Sequence, residues 1–182
     1  LTEGAYVELR EVARKDYAPP KVEYLKHKGF GLTQEQSMQL QDSSTVLVLD
    51  FFVVKPKDYN YVVAANELAF AVAAATEGFI WDEETRELFA PTSWRNVRLP
   101  VENFVFANTS MHAHQLPSKN FRTVSFGMRK LGSPDVMITE FTSAFWDPVS
   151  EMMRFLVYQI AAAGPLNSKR SWTGEELKVI LK

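Results

Sequence analysis

Apolar and polar positions form two different patterns in the first third of the chain, and each predicts a strand. Residues 5–12, AYVELREV, alternate between apolar and polar side chains, which is typical of a strand with one face on a core. Residues 45–54, TVLVLDFFVV, form a continuous apolar run rich in β-branched and aromatic residues. Such a run predicts a central strand that is covered on both faces.

A long helix is predicted directly after this second strand. The segment 59–76 is rich in alanine and places apolar side chains at helical spacing. Asp58 is a suitable N-cap residue, and Gly78 is expected to end the helix in a left-handed conformation. The low charge of both elements predicts that the strand and the helix are buried and pack on each other.

The rest of the chain predicts shorter elements. Thr33 and Gln36 have the spacing of a capping box for a helix that ends near Gln41. Asp147, followed by Pro148, predicts the start of a helix that runs to Gly164. The remaining predicted elements are strands at 79–81, 88–90, 104–107, 121–128 and 136–141, and a last helix with a capping box at Thr173 and Glu176.

Strands outnumber helices in this prediction, and tight turns join many neighbours. This favours the α+β class, with a largely antiparallel sheet and helices packed on it. We expect one α+β domain over residues 1–182, and whether it is a module of a longer chain stays open.

Two segments resemble a bacterial family of uncharacterised α+β domains. One is FGMRKLGSPD at 126–135 with the strand VMITEF and a helix that ends in AAAG, and the other is a strand and helix that lead into the hairpin EGFIWDEETRELF. The resemblance spans roughly residues 45–164 and does not include the region around His112. It implies ferredoxin-like elements and no established activity or catalytic residue.

Composition limits the classes of function. The 182 residues carry a formal net charge of −2, so the chain lacks the basic excess that favours nucleic-acid binding. Cysteine is absent, which excludes disulfides and thiolate chemistry. No stretch approaches the roughly 18 apolar residues of a membrane span, so we expect no membrane insertion. Leu1 indicates a cut start, so a periplasmic or secreted location stays open beside the cytoplasmic one that we favour.

Aromatic and basic residues in the poorly patterned region from Thr92 to Asn120 suggest a binding surface. Tryptophan and arginine are enriched among residues that dominate protein interfaces. Trp94, Arg95 and Arg98 lie together in this region, and we expect them to be exposed and to contact a protein partner. The carboxylates at 82, 83, 84 and 87 are expected to be solvated at the tip of the hairpin.

A histidine pair offers the alternative. If the segment is extended, His112 and His114 point to the same side, as two zinc ligands would require. A metal-dependent hydrolase could then use a nearby carboxylate such as Glu102 as general base. Because no catalytic signature is present, we favour a non-enzymatic protein-interaction or assembly domain of bacterial type, without a cofactor, and keep the zinc hydrolase as the alternative.

Overall fold

Helices and strands follow one another along the whole described chain. The computed structural model describes residues 4–54 and 56–164, so the helix expected from Thr173 lies outside the described residues. The strands are β1 (Gly4–Ala13), β2 (Gly29–Phe30), β3 (Thr45–Val54), β4 (Ile80–Asp82), β5 (Glu87–Phe89), β6 (Ser110–Gln115), β7 (Phe121–Phe126) and β8 (Met137–Phe141). The helices are α1 (Val22–Lys28), α2 (Gln34–Gln39), α3 (Asn60–Thr76), α4 (Pro91–Arg98), α5 (Phe104–Ala107) and α6 (Trp146–Ala162). The predicted α+β class is confirmed.

The described strands form three small sheets rather than one large sheet. Their strand orders are β1-β3, β2-β5-β4 and β6-β7-β8. All neighbours are antiparallel except β2 and β5, which are parallel. The antiparallel character is therefore confirmed, whereas the ferredoxin-like arrangement implied by the resemblance stays a prediction.

Strands β1 and β3 form a two-stranded ribbon, called here the β1–β3 ribbon. The pairing runs without a break from Gly4 opposite Val54 to Ala13 opposite Thr45. The prediction that β3 is a central strand covered on both faces is wrong, because Phe51 and Phe52 are 40% and 41% exposed. An apolar run shows which residues tend to avoid water. It does not show that other residues of the described chain cover them.

Helix α3 occupies the predicted segment with different ends. Tyr59 is the N-cap residue, and Asp58 Oδ1 accepts a hydrogen bond from the backbone N–H of Asn60 at 2.9 Å. At the other end Glu77, not Gly78, adopts the left-handed conformation, with a φ of 52°. Asp58 thus stabilises the helix start as expected, but it lies one position before the N-cap residue rather than at it.

The region between residues 91 and 115 folds differently from its prediction. Phe104–Ala107 is a short helix, α5, rather than a strand, and α4 begins directly at Pro91. Proline suits the first helical turn because its missing N–H would have no partner there. The aromatic composition of α5 favoured a strand, but its residues pack around the core helices instead.

The core lies between the helices and the two three-stranded sheets. One cluster joins α3 to α6 through Val62, Val157 and Ala161, and a second joins α3 to α4 and the β4–β5 hairpin. A third cluster packs α6 on β8. Asp147 lies in the first turn of α6 and does not cap it, because the helix begins at Trp146 with Phe145 as its N-cap residue. No side chain of the β1–β3 ribbon belongs to these three clusters.

Candidate functional site

The predicted binding residues Trp94, Arg95 and Arg98 lie on α4, and two of them are interior. Trp94 is 4% exposed and Arg98 is 3% exposed, so their expected exposure is wrong. One helical turn separates them, which places both on the buried side of α4. Arg95 is exposed and lies over the ring of Phe70, with 5.2 Å from its guanidinium carbon to the ring centroid. Only Arg95 of the three is available to a partner.

Trp94 is held by packing and by one hydrogen bond. Its ring meets Phe89 edge to face, with the centroids 5.4 Å apart. Its indole N–H donates to the backbone oxygen of Asn66 at 2.9 Å. Asn66 in turn donates from its side chain to Asn108 at 2.9 Å. These buried hydrogen bonds link α4 to α3, so Trp94 has a structural role.

Arg98 is the centre of a buried group of charges, called here the buried ion cluster and made of Asp82, Glu87, Arg98 and Lys130. The guanidinium Nη2 lies 2.8 Å from Glu87 and 3.1 Å from Asp82. Lys130 Nζ donates to Asp82 at 2.7 Å. The cluster therefore ties the β4–β5 hairpin to α4 and to the short helical turn at residues 128–131.

The charges of the buried ion cluster compensate one another. Burial by itself would raise the pKa of Asp82, but attraction to Lys130 and Arg98 outweighs it and lowers that pKa below its ordinary value. The prediction of a solvated hairpin tip is thus wrong for Asp82 and Glu87, which are both 7% exposed. Glu83 remains exposed. Since both buried carboxylates are engaged by cations, the cluster resembles a structural network more than an acid–base pair.

The histidine pair lies on β6, where the alternation of a strand places both residues on one side. His112 Nε2 is 3.2 Å from the backbone oxygen of Thr85 and 3.1 Å from Ser110 Oγ. Its ring meets Phe126 edge to face at 4.8 Å. His114 is exposed and lies opposite Arg122 on β7. His112 therefore already has contacts within the fold.

Within residues 4–54 and 56–164, no cluster of three or more histidine, aspartate or glutamate side chains is placed to hold a metal ion. Glu102, the candidate general base, lines a groove together with Phe106 and Arg154, and no histidine is among the residues of that groove. The described structure adds no ligand to His112 and His114, so the zinc site stays a prediction.

His112 gives the protein an expected pH dependence. Burial, followed by the charge of Lys28, lowers the pKa of His112 to about 4. In the unfolded chain a histidine titrates near pH 6.5, so the unfolded state binds the proton first as the pH falls. Stability contributed by neutral His112 should be complete above about pH 6.5 and be lost progressively towards about pH 4.

This expectation is checked by urea unfolding of the wild type and of His112→Gln at pH 7 and pH 5. The wild type should lose more stability between these values than the variant, which has no imidazole to protonate. His114→Gln is the matched control because it keeps His112, and it should still lose more stability than His112→Gln does. Equal pH dependence in the wild type and in His112→Gln would contradict a half-buried, neutral His112.

The surface that the sequence did not reveal is the apolar face of the β1–β3 ribbon. The register places Val7 opposite Phe51, Leu9 opposite Leu49 and Glu11 opposite Leu47 on one face. The exposed fractions on this face are 42% for Val7, 59% for Leu9 and 39% for Leu47. Apart from the glutamate, the middle of this face presents only hydrocarbon to solvent.

The opposite face of the ribbon is mixed in character. Tyr6 stacks on Phe52 with ring centroids 4.7 Å apart. Arg10 Nε donates to Asp50 Oδ2 at 3.1 Å. The alternation at 5–12 predicted a strand with one face on a core, and this prediction is wrong, because Val7 and Leu9 on the apolar face are 42% and 59% exposed. Only the register shows that β3 adds its own apolar residues to the same side.

Comparison of the chain with models of known protein families, with curated proteins and with solved structures finds no match.

Proposed function

We propose that this protein is a non-enzymatic protein-interaction or assembly domain that binds its partner through the β1–β3 ribbon. The observation that carries the proposal is the exposed apolar face of this ribbon, on which Leu9 is 59% and Val7 is 42% accessible. Large contiguous apolar patches on a protein surface typically mark interaction sites. This proposal therefore assigns the binding surface to the ribbon, whereas the sequence predicted it on the segment that forms α4.

The backbone of the ribbon supports the same proposal. Each strand pairs with the other strand, so each has a second edge that joins no further strand in the described residues. Isolated two-stranded ribbons are marginally stable in water, and they gain stability from more strands or from packing on an apolar surface. A partner that covers the ribbon would supply this stabilisation.

Helix α3 has a second incompletely covered apolar surface. The helix is apolar on most sides, yet only Val62, Asn66 and Ala73 are fully buried along its length. Leu68 is 37% exposed. Helices that are apolar all round are normally buried, so this surface also favours an interaction role.

The proposal is tested by site-specific photo-cross-linking in the cells that naturally produce the protein. A benzophenone amino acid replaces Leu9, and the adducts formed on irradiation are identified by mass spectrometry. We expect strong protein adducts at position 9, because a bound partner excludes water from the apolar face of the ribbon.

Val101 is the matched control, since it is apolar, 77% exposed and outside the ribbon. The same amino acid at position 101 should give few adducts. If position 9 gives no more adducts than position 101, the ribbon is not the binding surface and the proposed function fails.

A further inference from the structure

Strand β1 has one edge that pairs with no other strand in the part of the chain that the structure describes. On its other side it pairs with β3 over its whole length, without a bulge. The strand Gly4–Ala13 also contains no proline. Proteins usually protect a long edge with proline, a bulge or charges. Only charges are present here, so their order along β1 decides what this edge can pair with.

The charges Glu8 and Arg10 are placed symmetrically about Leu9. In an antiparallel pair, opposed residues point to the same face. The register between two copies of β1 can therefore shift only in steps of two residues. With a two-fold axis at Leu9, this residue lies opposite the second copy's Leu9. Glu8 then lies opposite the second copy's Arg10, and by symmetry Arg10 lies opposite the second copy's Glu8.

The neighbouring registers are unfavourable. An axis at Glu8 places two glutamates opposite each other, and an axis at Arg10 does the same for two arginines. Like charges directly opposite each other destabilise a strand pair, whereas opposite charges stabilise it. An axis at Val7 avoids this repulsion but leaves Glu11 to Ala13 without a partner in the described strand. The axis at Leu9 pairs β1 from Ala5 to Ala13 and opposes no like charges.

We infer that the partner of the ribbon is a second copy of this chain, added edge to edge along β1 about a two-fold axis at Leu9. This inference rests on the proposed function, because it names a partner of the same ribbon, bound at the edge of β1. The dimer contains a four-stranded antiparallel sheet in the order β3-β1-β1-β3. The axis is perpendicular to the sheet, so the apolar faces of both ribbons lie on the same side, and their Leu9 side chains meet at the centre.

The register is tested by disulfide cross-linking, because the chain contains no cysteine of its own. Directly opposed residues in antiparallel strands have Cα atoms about 4.5–5.5 Å apart, which suits a disulfide. Leu9→Cys should therefore form a covalent dimer under mild oxidation about tenfold faster than the exposed control Val101→Cys. Equal rates for the two variants would overturn the inference.

A second pair of variants tests the same axis without changing Leu9. Position 7 lies opposite position 11 of the second copy, so a mixture of Val7→Cys and Glu11→Cys should cross-link faster than either variant alone. If each variant alone cross-linked as fast as the mixture, the register centred on Leu9 would be wrong.

Charge reversal tests the pairing by rescue. Glu8→Arg changes two attractive pairs into two repulsive ones, and sedimentation equilibrium should show a dimer dissociation constant raised about tenfold or more. Adding Arg10→Glu restores both attractive pairs and should return the dissociation constant to within about threefold of the wild type. The double variant also places arginine opposite Asp50 within the ribbon, so the fold keeps its own ion pair.

Glu23→Arg, an equivalent reversal at an exposed position on α1, should leave dimerisation unchanged. A double variant that stays monomeric while its melting temperature is unchanged would overturn the inference, as would a monomeric wild type. Adducts at position 9 with a different protein, together with a monomeric wild type, would keep the proposed function and refute the second copy. The absence of any adduct at position 9 would refute both.

Discussion

Arg98→Ala should lower the free energy of unfolding by about 3–5 kcal/mol, the cost of leaving buried charges without their partner. The guanidinium side chain is 1% exposed and contacts Asp82 and Glu87 at 3.1 and 2.8 Å. Without Arg98, the carboxylate of Glu87 would lose this charged partner in a site where its own side chain is only 10% exposed. Urea denaturation followed by tryptophan fluorescence measures the loss.

Arg95→Ala is the matched control for Arg98→Ala, because both arginines lie on α4. Arg95 is exposed, and its described contact is with the ring of Phe70. Exposed interactions of this kind contribute about 0.5–1 kcal/mol, so we expect a change of at most that size. Similar losses for the two variants would show that the buried ion cluster does not stabilise the fold more than a surface contact does.

Trp94→Ala should also destabilise the protein by about 3–5 kcal/mol, as is typical when a large buried aromatic side chain is truncated. The substitution removes the contact with Phe89 and leaves the backbone oxygen of Asn66 without its indole donor. Both the cavity and the lost hydrogen bond act in the same direction. Urea denaturation measures the loss of stability, and a thermal melt should show a lower melting temperature than that of the wild type.

Trp146 provides the control for Trp94, since it is 40% exposed at the start of α6. Its ring meets Phe121 edge to face at 5.6 Å, so Trp146→Ala should cost some stability, but clearly less than Trp94→Ala. If Trp94→Ala left the melting temperature unchanged, the packing of α4 on the β4–β5 hairpin would be wrong.

These two predictions separate folding from binding. The sequence placed Trp94 and Arg98 at a partner surface because tryptophan and arginine are enriched among the residues that dominate interfaces. A variant that loses stability cannot report on binding at that position. The ribbon variants differ in this respect, because Leu9 is largely exposed and its substitution removes little buried surface.

The local features of the fold were predictable where short-range chemistry determines them. The capping box of Thr33 and Gln36 is present, with Gln36 N donating to Thr33 Oγ1 at 3.1 Å. The hairpin of β4 and β5 and the long segments of α3 and α6 also agree with their patterns. Each of these depends on residues that are close in sequence, so the pattern alone is sufficient.

The buried ion cluster was not predictable in the same way. Its residues come from β4, β5, α4 and the turn at 128–131, which are distant in sequence. A charged residue such as Asp82 normally indicates a solvated position, because burial without a partner is costly. The partners Arg98 and Lys130 remove that cost, and only the tertiary structure brings them within reach.

The sequence by itself determined that β1 and β3 are long strands, that β1 carries its charges on either side of Leu9, and that most of the remaining ribbon residues are apolar. It did not determine whether the apolar side chains are covered, since hydrophobicity measures a tendency to leave water and not the place where this happens. The tertiary structure decided whether they are covered. The ribbon contributes no side chain to the three described core clusters, because α3, α6 and the two other sheets fill those clusters with their own side chains.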